Sequence, residues 1–190
     1  MRITHLLFND VGSHGPNADP VSASLFAQRT PSIAEVALGL GVPLIRVCSN
    51  TDFFYTTLFA QTHTLRNASV ALALQGRASG FLYGSGFPYE SISVKPTKDT
   101  AYFDPILLPL LSTESLVCTS AGAAYSRAEK TRLICDSKLA QQHLDVCVVS
   151  FPNCSGCWKC ARTLLTLDVL GQVEAFSSSF VSYAGTWVTP

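Results

Sequence analysis

Four of the seven cysteines lie within fourteen residues, and this cluster constrains the fold of the 190-residue chain more than any other feature. They are Cys147, Cys154, Cys157 and Cys160, so two overlapping Cys-x-x-Cys pairs follow one upstream cysteine. A zinc ion takes four thiolates arranged tetrahedrally at about 2.3 Å, and a Cys-x-x-Cys turn supplies two of them without strain. The spacing therefore predicts a structural zinc site.

Two other uses of clustered cysteines are open alternatives. One is a pair of disulfides in a secreted protein, and the other is a redox-active Cys-x-x-Cys pair. Disulfides that close such short loops would add little stability. The first residues, 1–8, also lack the long apolar core of a secretory signal peptide. The sequence therefore favours zinc over both, in a cytoplasmic protein.

The overall composition excludes several classes of partner. Thirteen basic residues balance thirteen acidic ones, and charged residues make up only 14% of the chain. Such a neutral surface does not favour nucleic acid or an anionic membrane. The chain is 47% hydrophobic, yet no apolar run is long enough for a transmembrane helix. The apolar excess instead indicates strands buried on both faces or the interface of a homodimer.

Apolar runs and turn residues alternate along the first 142 residues. The predicted strands cover residues 3–8, 42–48, 81–83 and 116–119, and the predicted helices cover 22–28, 32–40, 53–75, 126–139 and 158–170. Strands that alternate with helices indicate an α/β fold with an open, mostly parallel, doubly wound sheet. We expect an α/β body over residues 1–142, a zinc module with its helix over 143–175, and a tail over 176–190.

One helix start has the residues of an anion site. The sequence Ser126-Arg-Ala-Glu is a capping box, which predicts a helix that begins at this point. Arg127 and Lys130 lie in its first turn, where free backbone amides and the helix dipole favour an anion. Together with Ser126 they are candidates for a phosphate site. The alternative is a solvated helix face.

Other polar residues lie where parallel sheets bind ligands, at the carboxyl ends of strands. Ser85 and Tyr89 follow the third predicted strand, and His63 and Arg66 lie on the helix predicted over residues 53–75. These four are candidates for contact with a small-molecule substrate. The alternatives are an ordinary polar loop and an interior histidine. Neither common glycine-rich phosphate loop occurs in the chain.

The segment 153–168, preceded by Cys147, resembles the carboxyl-terminal zinc module of 7-cyano-7-deazaguanine synthases. Those enzymes belong to the adenine nucleotide α-hydrolase-like ATP pyrophosphatases. In that family four similarly spaced cysteines are followed by a lysine and an Arg-Thr pair, and here Lys159, Arg162 and Thr163 take those places. The resemblance implies a doubly wound sheet of the HUP, or Rossmann-like, type. It also implies ATP with Mg²⁺, an oxygen activated as an adenylate, and attack by an amine.

The chain departs from that family at its amino-terminal end. Family members begin with a strand and a Ser-Gly-Gly-x-Asp-Ser loop that holds pyrophosphate, and this sequence has no such loop. We expect a fragment of a longer enzyme, a chain completed by a partner, or a relative without catalysis. The substrate is unknown, and the chain alone should be inactive.

Two alternatives belong to other functional classes. The first is a non-catalytic zinc-containing α/β subunit or regulator, whose apolar surface is covered by a partner. The second, and the weakest, is a zinc knuckle that binds nucleic acid, since Trp158, Lys159 and Arg162 place an aromatic ring and two cations beside the cysteines.

Overall fold

A computed structural model describes residues 2–13, 20–54 and 57–180. The last ten residues of the predicted tail therefore lie outside the described residues. The chain divides into two compact units. Unit 1 comprises Met1–Leu6, Ala27–Leu44 and Ala128–Pro190, and unit 2 comprises Leu7–Phe26 and Ile45–Arg127. The cysteine segment is thus part of a larger unit that also contains most of the first long helix, from Ala27 to Gly39. No helix among the described residues combines the length and the hydropathy that a membrane crossing requires.

Four short strands and seven α-helices make up the regular structure of the described residues. In chain order they are β1 (Leu6–Asp10), α1 (Pro20–Gly39), β2 (Leu44–Cys48), α2 (Thr51–Phe54), α3 (His63–Ala73), β3 (Gly80–Gly84), α4 (Asp104–Leu110), β4 (Val117–Ala121), α5 (Arg127–Ile134), α6 (Lys138–His143) and α7 (Trp158–Val169). Short 3₁₀ turns cover Phe59–Gln61, Tyr89–Ser91, Thr100–Phe103 and Glu174–Ser179.

The strands form two parallel pairs, β1 with β2 and β3 with β4. In the second pair Gly80 lies opposite Val117 and Gly84 opposite Ala121. Backbone bonds join the two ends of β1 to the corresponding ends of β2, so the first pair is also parallel. The predicted mixture of helices and parallel strands is confirmed. The described strands do not, however, form one continuous sheet.

The core of unit 2 follows from the alternation of side chains along β4. Leu116 and Cys118 are buried, whereas Val117 between them is half exposed. Successive residues of a strand point to opposite faces, so the two buried side chains share one face. That face packs against Leu108 of α4 and Ala71 of α3. This packing places the loops after β3 and β4 at one end of the unit.

The helix predicted over residues 53–75 is broken in the structure. α2 ends at Phe54, and α3 begins only at His63. Thr62, just before α3, has φ −136° and ψ −7°, which lies outside the helical region. Its hydroxyl bonds to the carbonyl of Leu58. Threonine side chains compete in this way with the helical ladder, and the apolar spacing alone did not reveal the break.

Two further helix predictions need correction. The stretch around Pro31 forms one helix, α1, with Pro31 inside it, although proline has no backbone N–H to donate to the helical ladder. The helix predicted over residues 126–139 begins at Arg127, directly after Ser126 as expected, but divides into α5 and α6. Ser137 causes the division, since its hydroxyl accepts from the amide of Ala140 and caps α6.

The core of unit 1 surrounds one face of α7. Cys160, Leu164 and Leu167 are buried at helical spacing, and Phe176 packs with them. Gly171 ends the helix with φ +66°, as the sequence predicted. The amide of Gly171 donates to the carbonyl of Asp168, and the amide of Gln172 donates to that of Leu167, so two carbonyls at the helix end are paired. The buried cluster also contains Cys135, Cys147 and Phe180.

Candidate metal centre

The four clustered cysteines converge, as predicted. Cys160 lies in the first turn of α7, Cys157 immediately precedes that helix, and Cys147 comes from the extended segment after α6. All four Sγ atoms, including that of Cys154, lie within 4.8 Å of one another. None of the cysteines forms a disulfide.

The separations between sulfur atoms fit a tetrahedral metal ion. The Sγ atoms of Cys147 and Cys157 are 3.9 Å apart, and those of Cys157 and Cys160 are 3.5 Å apart. A tetrahedron whose bonds are about 2.3 Å long has edges of about 3.8 Å. The donor set is all sulfur and is closed, without a position for water or substrate. Such a set suits a structural zinc ion better than a catalytic one.

Backbone amides point at the sulfur atoms. The amides of Val149 and Ser150 each donate to Cys147 Sγ at 3.3 Å, and the amide of Cys157 donates to Cys154 Sγ at 3.3 Å. A hydrogen bond to the charged form of a group favours that form. The turns therefore stabilise thiolates, the form that binds metal.

Burial raises the pKa values of the clustered thiols, whereas hydrogen bonds from the backbone lower them. Burial acts to raise the pKa of Cys147, but hydrogen bonds from the backbone of Cys154, Val149 and Ser150 outweigh it and lower the pKa to about 6. The pKa of Cys157 is also lowered, because backbone donors overcome its desolvation. By contrast, burial and the hydrogen bond with Cys157 raise the pKa of Cys160. A cation at the centre would let all four sulfurs ionise together.

Asn153 is the main structural residue of the site that the sequence analysis did not single out. Its side chain is 2% exposed. Its Oδ1 accepts from the amides of Val146 at 2.8 Å and Cys147 at 2.9 Å, and its Nδ2 donates to the carbonyls of Leu144 and Ser179, each at 2.7 Å. One amide group therefore fixes the segment that carries Cys147. Only the folded chain brings these partners together.

The three residues of the predicted anion site lie around the start of α5. Arg127 is exposed, and its Nη2 donates to the carbonyl of Gly86 at 3.1 Å. Lys130 is half-buried on the same helix. The helix start after Ser126 is confirmed, and the phosphate-binding role of the three residues stays a prediction.

The two candidate residues after β3 lie against the loop after β4. The amide of Ser85 donates to the carbonyl of Ala121 at 2.9 Å, and that of Tyr89 donates to the carbonyl of Ala123 at 2.7 Å. The Tyr89 side chain is 55% exposed. The structure thus joins these two loops at the carboxyl ends of adjacent parallel strands. Substrate contact by Ser85 and Tyr89 stays a prediction.

His63 and Arg66 have different surroundings on α3. His63 Nδ1 pairs with the Tyr83 hydroxyl at 2.9 Å, and its Nε2 pairs with Asp99 Oδ1 at 3.0 Å. Arg66 is 4% exposed, and its Nη1 donates to the carbonyl of Val11 at 3.1 Å. Arg66 therefore holds the backbone after β1, and a substrate role for either residue stays a prediction.

A buried carboxylate next to this network was absent from the sequence-based candidates. Asp104 is fully buried, and the Thr64 hydroxyl donates to its Oδ1 at 2.6 Å. Its Oδ2 has no hydrogen-bond partner among the described residues. Burial raises the pKa of Asp104, and it also raises the pKa of Tyr83. Asp104 is the first residue of α4, and its buried contact with Thr64 joins residues 40 positions apart, which the local sequence does not indicate.

The aromatic and basic residues beside the cysteines contact one another. Trp158 is 63% exposed, with Arg162 Cζ 4.9 Å and Lys159 Nζ 5.6 Å from its ring centroid. Both separations fall within the range of cation–π attraction. The two cations therefore lie close to the ring, which itself remains exposed.

Comparison of the chain with family models, with curated proteins and with solved structures finds no match in any of the three.

Proposed function

We propose that Cys147, Cys154, Cys157 and Cys160 hold one structural zinc ion. The convergence of the four sulfur atoms within 4.8 Å carries this proposal. Two of these sulfurs belong to the buried cluster of unit 1 that includes Leu164 and Leu167. Because the metal site and the apolar core share residues, metal binding should contribute directly to the folding free energy of unit 1.

Metal analysis of the purified chain tests the zinc site. We expect one zinc ion per chain, and charge-transfer absorption from four thiolates after replacement of zinc by Co²⁺. Cys160→Ser should lower the metal content, because it removes one ligand. Cys48→Ser is the matched control, since Cys48 is exposed on β2. The proposed site would be refuted if the wild-type chain does not contain stoichiometric metal. It would also be refuted if Cys160→Ser matches wild type in metal content and metal affinity.

We further propose that the chain contributes to an ATP-dependent ligase of the pyrophosphatase type, on the resemblance of its cysteine module to that family. Parallel strand pairs and the joined loops after β3 and β4 support this proposal, since doubly wound sheets bind ligands at the carboxyl ends of strands. Arg127 would contact phosphate there, with Ser126 and Lys130 on the same helix start. Ser85 and Tyr89 would contact the substrate, and Mg²⁺ would accompany ATP.

Because the sequence has no pyrophosphate-binding loop, the ligase proposal needs a further structural element that supplies one. We propose that a strand with such a loop, from outside these 190 residues or from a partner chain, completes one doubly wound sheet of the HUP type. Asn67 of α3 bonds to Asn9 of β1 at 3.2 Å and to Tyr83 of β3 at 3.4 Å, so one side chain of this helix contacts a strand of each pair. Two-stranded sheets are marginal alone, which favours completion by a further strand.

Calorimetric titration with ATP and Mg²⁺ tests the ligase proposal. We expect binding only when the chain is joined to an upstream segment that carries the loop, and we expect Arg127→Ala to weaken it. Arg77→Ala is the control, since Arg77 is exposed on the turn after α3. If the extended chain does not bind ATP, or Arg127→Ala binds equally well, the proposal is wrong.

One observation favours the alternative of a non-catalytic subunit. Phe53 and Phe54 of α2 are 81% and 71% exposed, and Leu58 nearby is 69% exposed. Exposed apolar groups of this size mark interaction surfaces. Sedimentation of wild type and of a Phe53→Ser, Phe54→Ser variant distinguishes a homodimer from a monomer. Loss of a wild-type dimer in the variant would favour this alternative.

A further inference from the structure

One face of α1 packs against the segment that leads into the metal centre. Arg29, Ser32 and Gly39 are spaced by three and seven residues and therefore share that face. Ser32 Oγ lies 3.0 Å from His143 Nδ1, and Gly39 lies against Leu139 of α6. All of these residues belong to unit 1.

On this face of α1, Arg29 is the residue that contacts the segment around Cys147. Its side chain is 6% exposed, and its Nε pairs with Asp145 Oδ2. Its Nη2 donates to the carbonyl of Cys147 at 2.7 Å and to that of Ser150 at 3.2 Å. Asp145 completes the arrangement, because its Oδ1 accepts from the amide of Cys147 at 3.3 Å. The ion pair therefore holds Cys147 through both its carbonyl and its amide.

Cys147 needs such support more than the other three cysteines do. Cys154, Cys157 and Cys160 follow one another in a turn and a helix start, so the local fold brings them together. Cys147 is separated from Cys154 by six residues, and its segment has no regular secondary structure. Groups around a metal ligand that fix its orientation typically change metal affinity by about 10–100-fold.

We propose that Arg29 is a positioning residue of the metal centre, which holds Cys147 as the fourth ligand together with Asp145. This inference rests on the proposed zinc site. It makes tight metal binding depend on α1, which is more than 100 residues away in sequence. Arginine suits this role because its planar fork donates to several acceptors at once, whereas lysine presents a single ammonium.

Competition titration of Co²⁺ against a chelator tests the role of Arg29. Arg29→Met and Arg29→Lys should bind Co²⁺ about 10–100-fold more weakly than wild type. Their charge-transfer spectra should shift toward that of Cys147→Ala, which retains three thiolates. Arg29→Met combined with Cys147→Ala should weaken binding no further than Cys147→Ala alone. Arg132→Met is the matched control on exposed α5 and should bind like wild type.

Several results would overturn the inference. If wild type binds Co²⁺ through four thiolates and both Arg29 variants match its affinity and spectrum, only the role of Arg29 is wrong. Weaker binding with an unchanged four-thiolate spectrum would mean that Arg29 stabilises the fold but does not position Cys147. If Arg29→Met does not fold, Arg29→Lys decides, because it retains the charge. If wild type binds no metal, both the zinc site and this inference are wrong.

Discussion

At the scale of residues, the metal centre depends on polar groups that hold the backbone as much as on the cysteines. Asn153 uses both polar atoms of its side chain on four backbone partners. The cysteine spacing predicted the convergence of the four thiols, because thiols so close together in sequence are typical of a structural zinc site. It could not predict the contribution of Arg29, since nothing in the local sequence relates α1 to residue 147.

Replacement of Asn153 by alanine should destabilise the protein strongly. The change removes the partner of the Val146 amide and of the carbonyls of Leu144 and Ser179 in a buried site, whereas the amide of Cys147 keeps its contact with Asp145. Each group left unpaired costs about 1–3 kcal/mol. We expect a loss of about 3 kcal/mol or more in the free energy of unfolding, measured by urea denaturation of the zinc-loaded protein. Gln142→Ala, at an exposed position of α6, should change it little. A loss below about 1 kcal/mol for Asn153→Ala would contradict the structure.

The buried carboxylate of Asp104 should make stability depend on pH. Desolvation raises its pKa in the folded state above the unfolded value of about 3.9. Between those two pKa values the folded state binds more protons than the unfolded state, so stability falls as pH rises through this range and stays lower above it. The side-chain amide of the Asp104→Asn variant does not titrate, so the stability of this variant relative to wild type should increase with pH.

Urea denaturation of both proteins between about pH 4 and about pH 8, which spans the carboxylate range and the region above it, measures this difference. Any loss of zinc at low pH affects both proteins and cancels in the comparison. Asp136→Asn, at an exposed position, serves as the control. A difference between Asp104→Asn and wild type that is constant or decreases with pH would refute the buried, destabilised carboxylate.

At the scale of elements, the sequence predicts the helix ends that a capping residue determines better than it predicts breaks within a continuous apolar pattern. The start of α5 directly after Ser126 and the end of α7 just before Gly171 both agree with the helix bounds that the sequence predicts. The break before α3 and the division at Ser137 were missed. Apolar spacing continues across both positions, and the side-chain bonds of Thr62 and Ser137 decide the outcome. Strand pairing was the least predictable feature, because it depends on contacts distant in sequence.

Gly171 offers a test of the backbone contribution to the end of α7. A Cβ at this position would meet no atom within 4 Å, so only its φ of +66° opposes a side chain. Gly171→Ala should therefore cost about 1–2 kcal/mol in the free energy of unfolding. Gly76→Ala is the matched control, because that glycine is equally unobstructed and has no left-handed φ. Equal effects of the two substitutions on thermal unfolding would show that conformation at Gly171 does not limit stability.

At the scale of the whole molecule, the sequence predicted an α/β chain with a cysteine module but not the division into two units. The proposed metal ligands Cys147 and Cys160 belong to the buried cluster of unit 1, whereas unit 2 has its own cluster around Leu108 and Leu116. Each unit thus has a separate apolar core. Sequence order concealed this division, because segments from three parts of the chain form unit 1.

Removal of the metal should therefore affect the two units unequally. Without the ion, nothing joins the four sulfur atoms, and Cys147 is held only through the contacts of its backbone with the side chains of Arg29, Asp145 and Asn153. Hydrogen exchange of zinc-loaded and chelator-treated protein should show faster exchange in α7 and around Phe176, while β3, β4 and α4 retain their protection. The physical reason is that the buried cluster of unit 1 contains two of the ligands, whereas that of unit 2 contains none. Equal loss of protection in both units would show that they unfold as one cooperative body. Unchanged exchange in α7 would show that the metal does not support the fold.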